Sequence, residues 1–104
     1  MAITKEKAAL YQELLDKYGR DAQLNMAVEE LGELIVTIQH TRRLKEWGKV
    51  ASVDQLAGEI ADAELICEQL RYMFNIDSLK IFQIKEKKLE RVKSLLKAGS
   101  QRHE

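Results

Sequence analysis

No proline interrupts the chain anywhere in its 104 residues, and apolar residues recur at three- and four-residue steps instead of alternating. A pattern of that period lays apolar side chains along one face of an α-helix, and without proline no helix interior loses a backbone donor. The chain is therefore expected to be all-α. Capping and stop signals divide it into four helices. The first is expected from about Thr4 to Tyr18, with Leu10, Leu14 and Tyr18 on one side and Gly19 as its stop. Asp21 is placed to cap the second, whose stripe is Leu24, Ala27, Leu31, Leu34 and Ile38 and which should continue to about Leu44. After a connection holding Trp47, Gly48 and Lys49, Ser52 and Gln55 have the spacing of a capping box. The third helix should run from there through Val53, Leu56, Ile60, Ala63, Cys67, Leu70 and Phe74 to about Asn75. Asp77 or Ser78 can cap the fourth, which carries Ile81, Phe82, Leu89, Val92 and Leu96 as far as Gly99, leaving residues 100–104 as a short disordered tail.

Helices of this length joined by short connections imply a single-domain four-helix bundle spanning residues 1–104. A chain this short buries only about two-thirds of the surface its unfolded form exposes, so a homodimer, or a homotetramer built as a dimer of dimers, is expected. Lysine plus arginine equals aspartate plus glutamate, 17 of each, so no global field draws the protein onto nucleic acid. Any function that uses charge must be local. No apolar run approaches the roughly 20 residues of a bilayer span and no apolar signal core opens the chain, so no membrane contact and a cytoplasmic location are expected. Cys67 stands alone, which excludes an intramolecular disulfide and suggests a small buried hydrophobe.

Four acids draw attention by their spacing. Residues three apart on a helix share a face with Cβ atoms about 5–6 Å apart, so Glu30 with Glu33, and Glu59 with Asp62, each form a close like-charge pair. Such pairs are common on solvated helix faces. Their place on the helical wheel is less ordinary. With Glu59 at zero, Leu70, Ala63, Leu56 and Phe74 fall near about 20–60°, Ile66 and Met73 near about 340° and 320°, and Asp62 near about 300°. Glu30 borders the stripe of the second helix, and Glu33 lies one step further out. Both pairs therefore lean toward the bundle interior. Unit charges 4 Å apart interact by about 4 kcal/mol at an effective dielectric of 20, so four converging carboxylates need cations. Ligation by oxygen alone points to Mg²⁺ or Mn²⁺ and not to zinc.

The fourth helix holds a second anomaly. With Ile81 at zero, Lys85 falls near about 40° and Lys88 near about 340°, inside the apolar arc of Leu95, Val92, Leu96 and Leu89, and Arg91 sits just outside it. Long basic stems can snorkel over apolar surface. Two lysines and an arginine on one side of a helix, in a chain with an internal acidic cluster, also suit a phosphate clamp.

The segment Glu29-Glu30-Leu31-Gly32-Glu33, followed by Glu59-Ile60-Ala61-Asp62, resembles the EExxE and ExxD motifs of MazG-like nucleoside triphosphate pyrophosphohydrolases, members of the all-α NTP pyrophosphatase superfamily. The resemblance covers about Asp21 to Leu96. It implies Mg²⁺-dependent cleavage between the α and β phosphates of a nucleoside triphosphate, giving the monophosphate and pyrophosphate, and so favours Mg²⁺ with Mn²⁺ as a possible substitute. Glu30, Glu33, Glu59 and Asp62 match the family's metal ligands, and Glu29 matches the first acid of the motif. Glu29 and Glu33 are the two carboxylates that could take the proton from an attacking water. The basic patch of the family's last long helix is matched by Lys85, Lys88 and Arg91, although Leu89 stands where many relatives have asparagine. The aromatic residue that stacks on the base in relatives corresponds to a neighbourhood offering His40 and, beyond it, Trp47. A non-catalytic nucleotide-binding or regulatory helical module with the same fold is the alternative that the substituted asparagine leaves open. A di-iron carboxylate bundle would need Glu-x-x-His pairs, and neither His40 nor His103 sits in one.

Overall fold

The computed structural model describes residues 2–46 and 53–100. Among these there are α-helices and no strand: α1 (Lys5–Tyr18), α2 (Arg20–Glu46), α3 (Val53–Met73) and α4 (Ser78–Ser100). The all-α expectation holds, and no helix among the described residues is long and apolar enough to cross a membrane. Trp47, Gly48, Lys49, the capping box at Ser52, and residues 101–104 with His103 lie outside the described residues.

Local chemistry accounts for most helix ends. Thr4 caps α1, its hydroxyl accepting the Lys7 N–H at 3.2 Å. Gly19 then adopts φ 88°, a conformation that costs glycine little, and joins two helices through one residue. Its N–H donates to the Leu15 carbonyl, closing α1, and its carbonyl accepts the Gln23 N–H, opening α2. Asp21 is therefore not a cap, because glycine has taken that role two residues earlier; it sits in the first turn of α2, where its charge still favours the helix dipole. Asn75 provides the stop after α3 with φ 51°. Asp77 caps α4, its carboxylate accepting the Leu79 N–H at 3.1 Å. Gly99 does not end α4, which continues to Ser100.

Residues Ile3–Phe74, containing α1, α2 and α3, form one compact unit, and α4 belongs to a second. Among the described residues of the first unit the buried apolar ones are Tyr11, Ala27, Ala63 and Ile66. Small alanines on α2 and α3 let the two helices approach closely. Gln23 and Gln69 are also buried and satisfy each other, the Gln69 side-chain amide donating to the Gln23 carbonyl oxygen. Arg20 lies over the Phe74 ring at 4.4 Å, tying the start of α2 to the end of α3.

Several expected core positions are exposed. Leu10, Leu14 and Tyr18 face outward on α1, where Tyr11 is the buried residue instead, and Ile38, Val53, Ile60 and Phe74 are exposed as well. Cys67 is exposed, not the buried small hydrophobe expected of it. The reason is rotational: α3 buries the face of Ala63, Ile66 and Gln69, so the side carrying Ile60 and Cys67 turns outward. On α4, Ile81 is partly covered, whereas Phe82, Leu89, Val92 and Leu96 are exposed.

Candidate metal centre

The α2–α3 register brings the acids together. The Gln23–Gln69 contact sets the two helices level at one point. Ten residues further along α2 is Glu33, and ten residues back along α3 is Glu59, so antiparallel helices rising about 1.5 Å per residue bring these two level again. Gln23 and Glu33 thus stand opposite Gln69 and Glu59 in the same ladder. One carboxylate oxygen from each of Glu30, Glu33 and Glu59 lies within 4.8 Å of the others. Glu30 and Glu59 are partly buried and Glu33 is exposed.

The converging set is three of the four expected ligands. Asp62, exposed one turn along α3 from Glu59, contributes its charge to the same neighbourhood. Partial burial pushes the Glu30 carboxyl above the usual carboxylate range, and the negative charges of Glu33, Asp62, Glu59 and Glu29 push it in the same direction. Each of these charges is acidic. In addition, Glu59 Oε2 is buried and has no hydrogen-bond partner among the described residues. A buried carboxylate oxygen without a donor is costly, and a hard cation is one species that would satisfy it. The donor set of carboxylate oxygens fits Mg²⁺ or Mn²⁺.

Each of the remaining expected site residues that is described is exposed. Glu29 is exposed on α2, and His40 is exposed about two turns beyond Glu33 on the same helix. Lys85, Lys88 and Arg91 are exposed on α4, in the second unit. Trp47 falls outside the described residues.

Two features of the first unit escape a reading of the sequence. Gln23 extends the four-residue rhythm of Ala27 and Leu31, and that regularity was the available clue to its burial. The second feature had no local clue, because it joins residues 57 positions apart: the Tyr11 hydroxyl donates to Glu68 Oε1 at 2.6 Å. Lys7 Nζ lies 3.3 Å from the same oxygen, and an Arg71 terminal nitrogen lies 3.6 Å from Oε2. The Tyr11 hydrogen bond holds the Glu68 carboxyl below its ordinary range against the opposing effect of burial, with Lys7 and Arg71 adding to the depression. Burial and the Glu68 charge push Tyr11 up to about 12.

Comparison of the chain with protein-family profiles, curated proteins and solved structures found no match.

Proposed function

We propose that the chain is a MazG-like, Mg²⁺-dependent nucleoside triphosphate pyrophosphohydrolase that cleaves a (d)NTP to the monophosphate and pyrophosphate, in house-cleaning or control of the nucleotide pool. The observation that carries this reading is the meeting of Glu30, Glu33 and Glu59 from two helices within 4.8 Å. A solvated acidic pair needs no second helix. Here the second helix adds a partly buried glutamate whose inner oxygen lacks a donor.

In this reading Glu30, Glu33, Glu59 and Asp62 hold the cation. When bound, Mg²⁺ supplies charge neutralisation for the triphosphate and acidity for a coordinated water. Glu29 and Glu33 are the carboxylates available to take the proton, and Glu29 lies outside the converging triad. Lys85, Lys88 and Arg91 balance phosphate charge. His40 and Trp47 are the residues offered to the base. The assembly is a homodimer or homotetramer of four-helix subunits.

The test is pyrophosphate release from a panel of (d)NTPs with Mg²⁺, with product analysis to fix the bond cleaved. Loss of a group that merely supports a metal ligand costs roughly 10–100-fold, so Glu59→Gln, which alters a ligand itself, should reduce turnover by at least about a hundredfold. If the wild-type chain turns over no nucleotide, the enzyme reading is wrong.

A further inference from the structure

A groove of about 530 Å³ lies between α1 and α3, floored by Leu10, Leu14 and Tyr18 of α1 with Leu65 and Ile66 of α3. Leu10, Tyr18 and Leu65 are 59%, 55% and 51% exposed, more than isolated surface apolar residues would require of one seam. The three α1 residues stand four apart, the spacing with which a helix presents a continuous ridge to another helix. None of the acidic-cluster carboxylates lines this groove.

We infer that this groove is the contact surface for a second copy of the chain, packed with its α1 antiparallel to the first. Charge selects the occupant. Glu13 and Lys17 also line the groove, one turn apart on the same edge of the ridge, and neither makes an ion pair among the described residues. Lys17 instead lies over the Tyr18 ring at 5.3 Å. A partner of one charge sign would meet one attraction and one repulsion along this edge. A reversed copy meets two attractions, because a two-fold axis near position 15 brings Lys17 of each copy level with Glu13 of the other. The same axis sets Leu14 between Leu14 and Tyr18 of the second copy, so the ridges interdigitate. Among its described residues the first unit has few buried apolar side chains, and none of the large ones is fully buried. Packing the ridge against a copy would supply the missing cover. The contact rests on the self-assembly included in the proposed function and gives it a surface, but not on the metal centre or on turnover, so sedimentation and the nucleotide panel can fail separately.

Sedimentation velocity of the full chain at micromolar concentration, with circular dichroism to confirm helix content, tests the contact. The wild type should be dimeric. Leu14→Glu should be monomeric. Lys17→Glu and Glu13→Lys should each weaken dimerisation by about tenfold or more, since each converts two exposed attractions into repulsions. The double variant carrying both substitutions should regain the wild-type dimer. A monomeric wild type overturns the inference, and so does a dimer indifferent to Leu14→Glu and to both charge reversals, which would assign self-association to another face.

Discussion

Glu59 and Glu68 lie nine residues apart on α3, about two and a half turns, yet their surroundings are opposite in kind. Glu68 is met by a tyrosine hydroxyl, a lysine and an arginine, and its carboxyl is held below the ordinary range. Glu59 is met by Glu30 and Glu33, keeps a buried oxygen without a donor, and helps to push Glu30 above the ordinary range. One neighbourhood is electrostatically finished within the chain. The other gathers like charges and, among the described residues, no cation. Paired charges serve stability, whereas like charges held together on a folded framework are a candidate site for a ligand that would relieve the repulsion, and a test with added cation decides between that and an ordinary acidic surface.

The largest expected effect tests the unfinished side. If the acidic cluster binds a cation, adding Mg²⁺ raises stability by RT ln(1 + [L]/Kd), about 2.7 kcal/mol at a hundred times Kd. For a domain of this size each kcal/mol moves Tm by about 4–8 °C, so a melt followed by circular dichroism resolves the shift easily. Glu59→Gln should remove most of the gain, and Glu68→Gln should leave it in place. An equal Tm with and without Mg²⁺ would make the cluster an ordinary acidic surface.

The finished side should respond in the opposite direction. Glu68→Ala removes a hydrogen bond to an ionised acceptor and two ion pairs, a loss of about 2 kcal/mol, most of it from the tyrosine contact because Lys7 is half exposed. A cycle with Tyr11→Phe should show that the two losses are not additive. Its pH dependence follows from the same contacts. The Glu68 carboxyl is lowered in the folded chain, so its contribution is complete above the ordinary carboxylate range and disappears as the pH falls through the depressed value. Tyr11 is raised from 10.0 to about 12, so its contribution is complete below about pH 10 and disappears as the pH rises through about 12. In Tyr11→Phe, urea midpoints measured across the alkaline limb should lose that dependence.

The contrast between these two glutamates also explains what could be read from the chain beforehand. Helix type and most boundaries are local properties: Thr4, Gly19, Asn75 and Asp77 act within a few residues of themselves, and each behaves as its chemistry predicts. The meeting of Glu30, Glu33 and Glu59 was legible because two local signals, the i, i+3 pairs, were joined by a wheel argument, although only Glu30 and Glu59 turn inward while Glu33 and Asp62 stay exposed. Rotational detail was not legible. Tyr11 and Leu10 are neighbours in sequence, and the partners that Tyr11 meets on turning inward, Glu68 and Tyr72, lie far along the chain while Leu10 stays out. Cys67 was misjudged for the same reason, since the buried face of α3 follows Ile66 and Gln69, whose partners lie on other helices.

The smallest effect is the most discriminating. In the metal-free chain, partial burial disfavours the ionised form of Glu30, and so do the charges of Glu33, Asp62, Glu59 and Glu29. Its folded-state pKa therefore exceeds its unfolded value, and the sign is the reverse of that for Glu68: ionisation above this range costs stability, and acidification relieves the cost. Glu30→Gln removes the charge with little change of shape, so with EDTA at neutral pH its Tm should be higher than that of the wild type. With saturating Mg²⁺ the order should invert, because the wild type gains a cation that the variant holds poorly. A purely structural glutamate would change stability in the same direction under both conditions. The crossing of the two melting temperatures, more than the size of either shift, would distinguish a cluster that awaits a cation from one that merely tolerates its own repulsion.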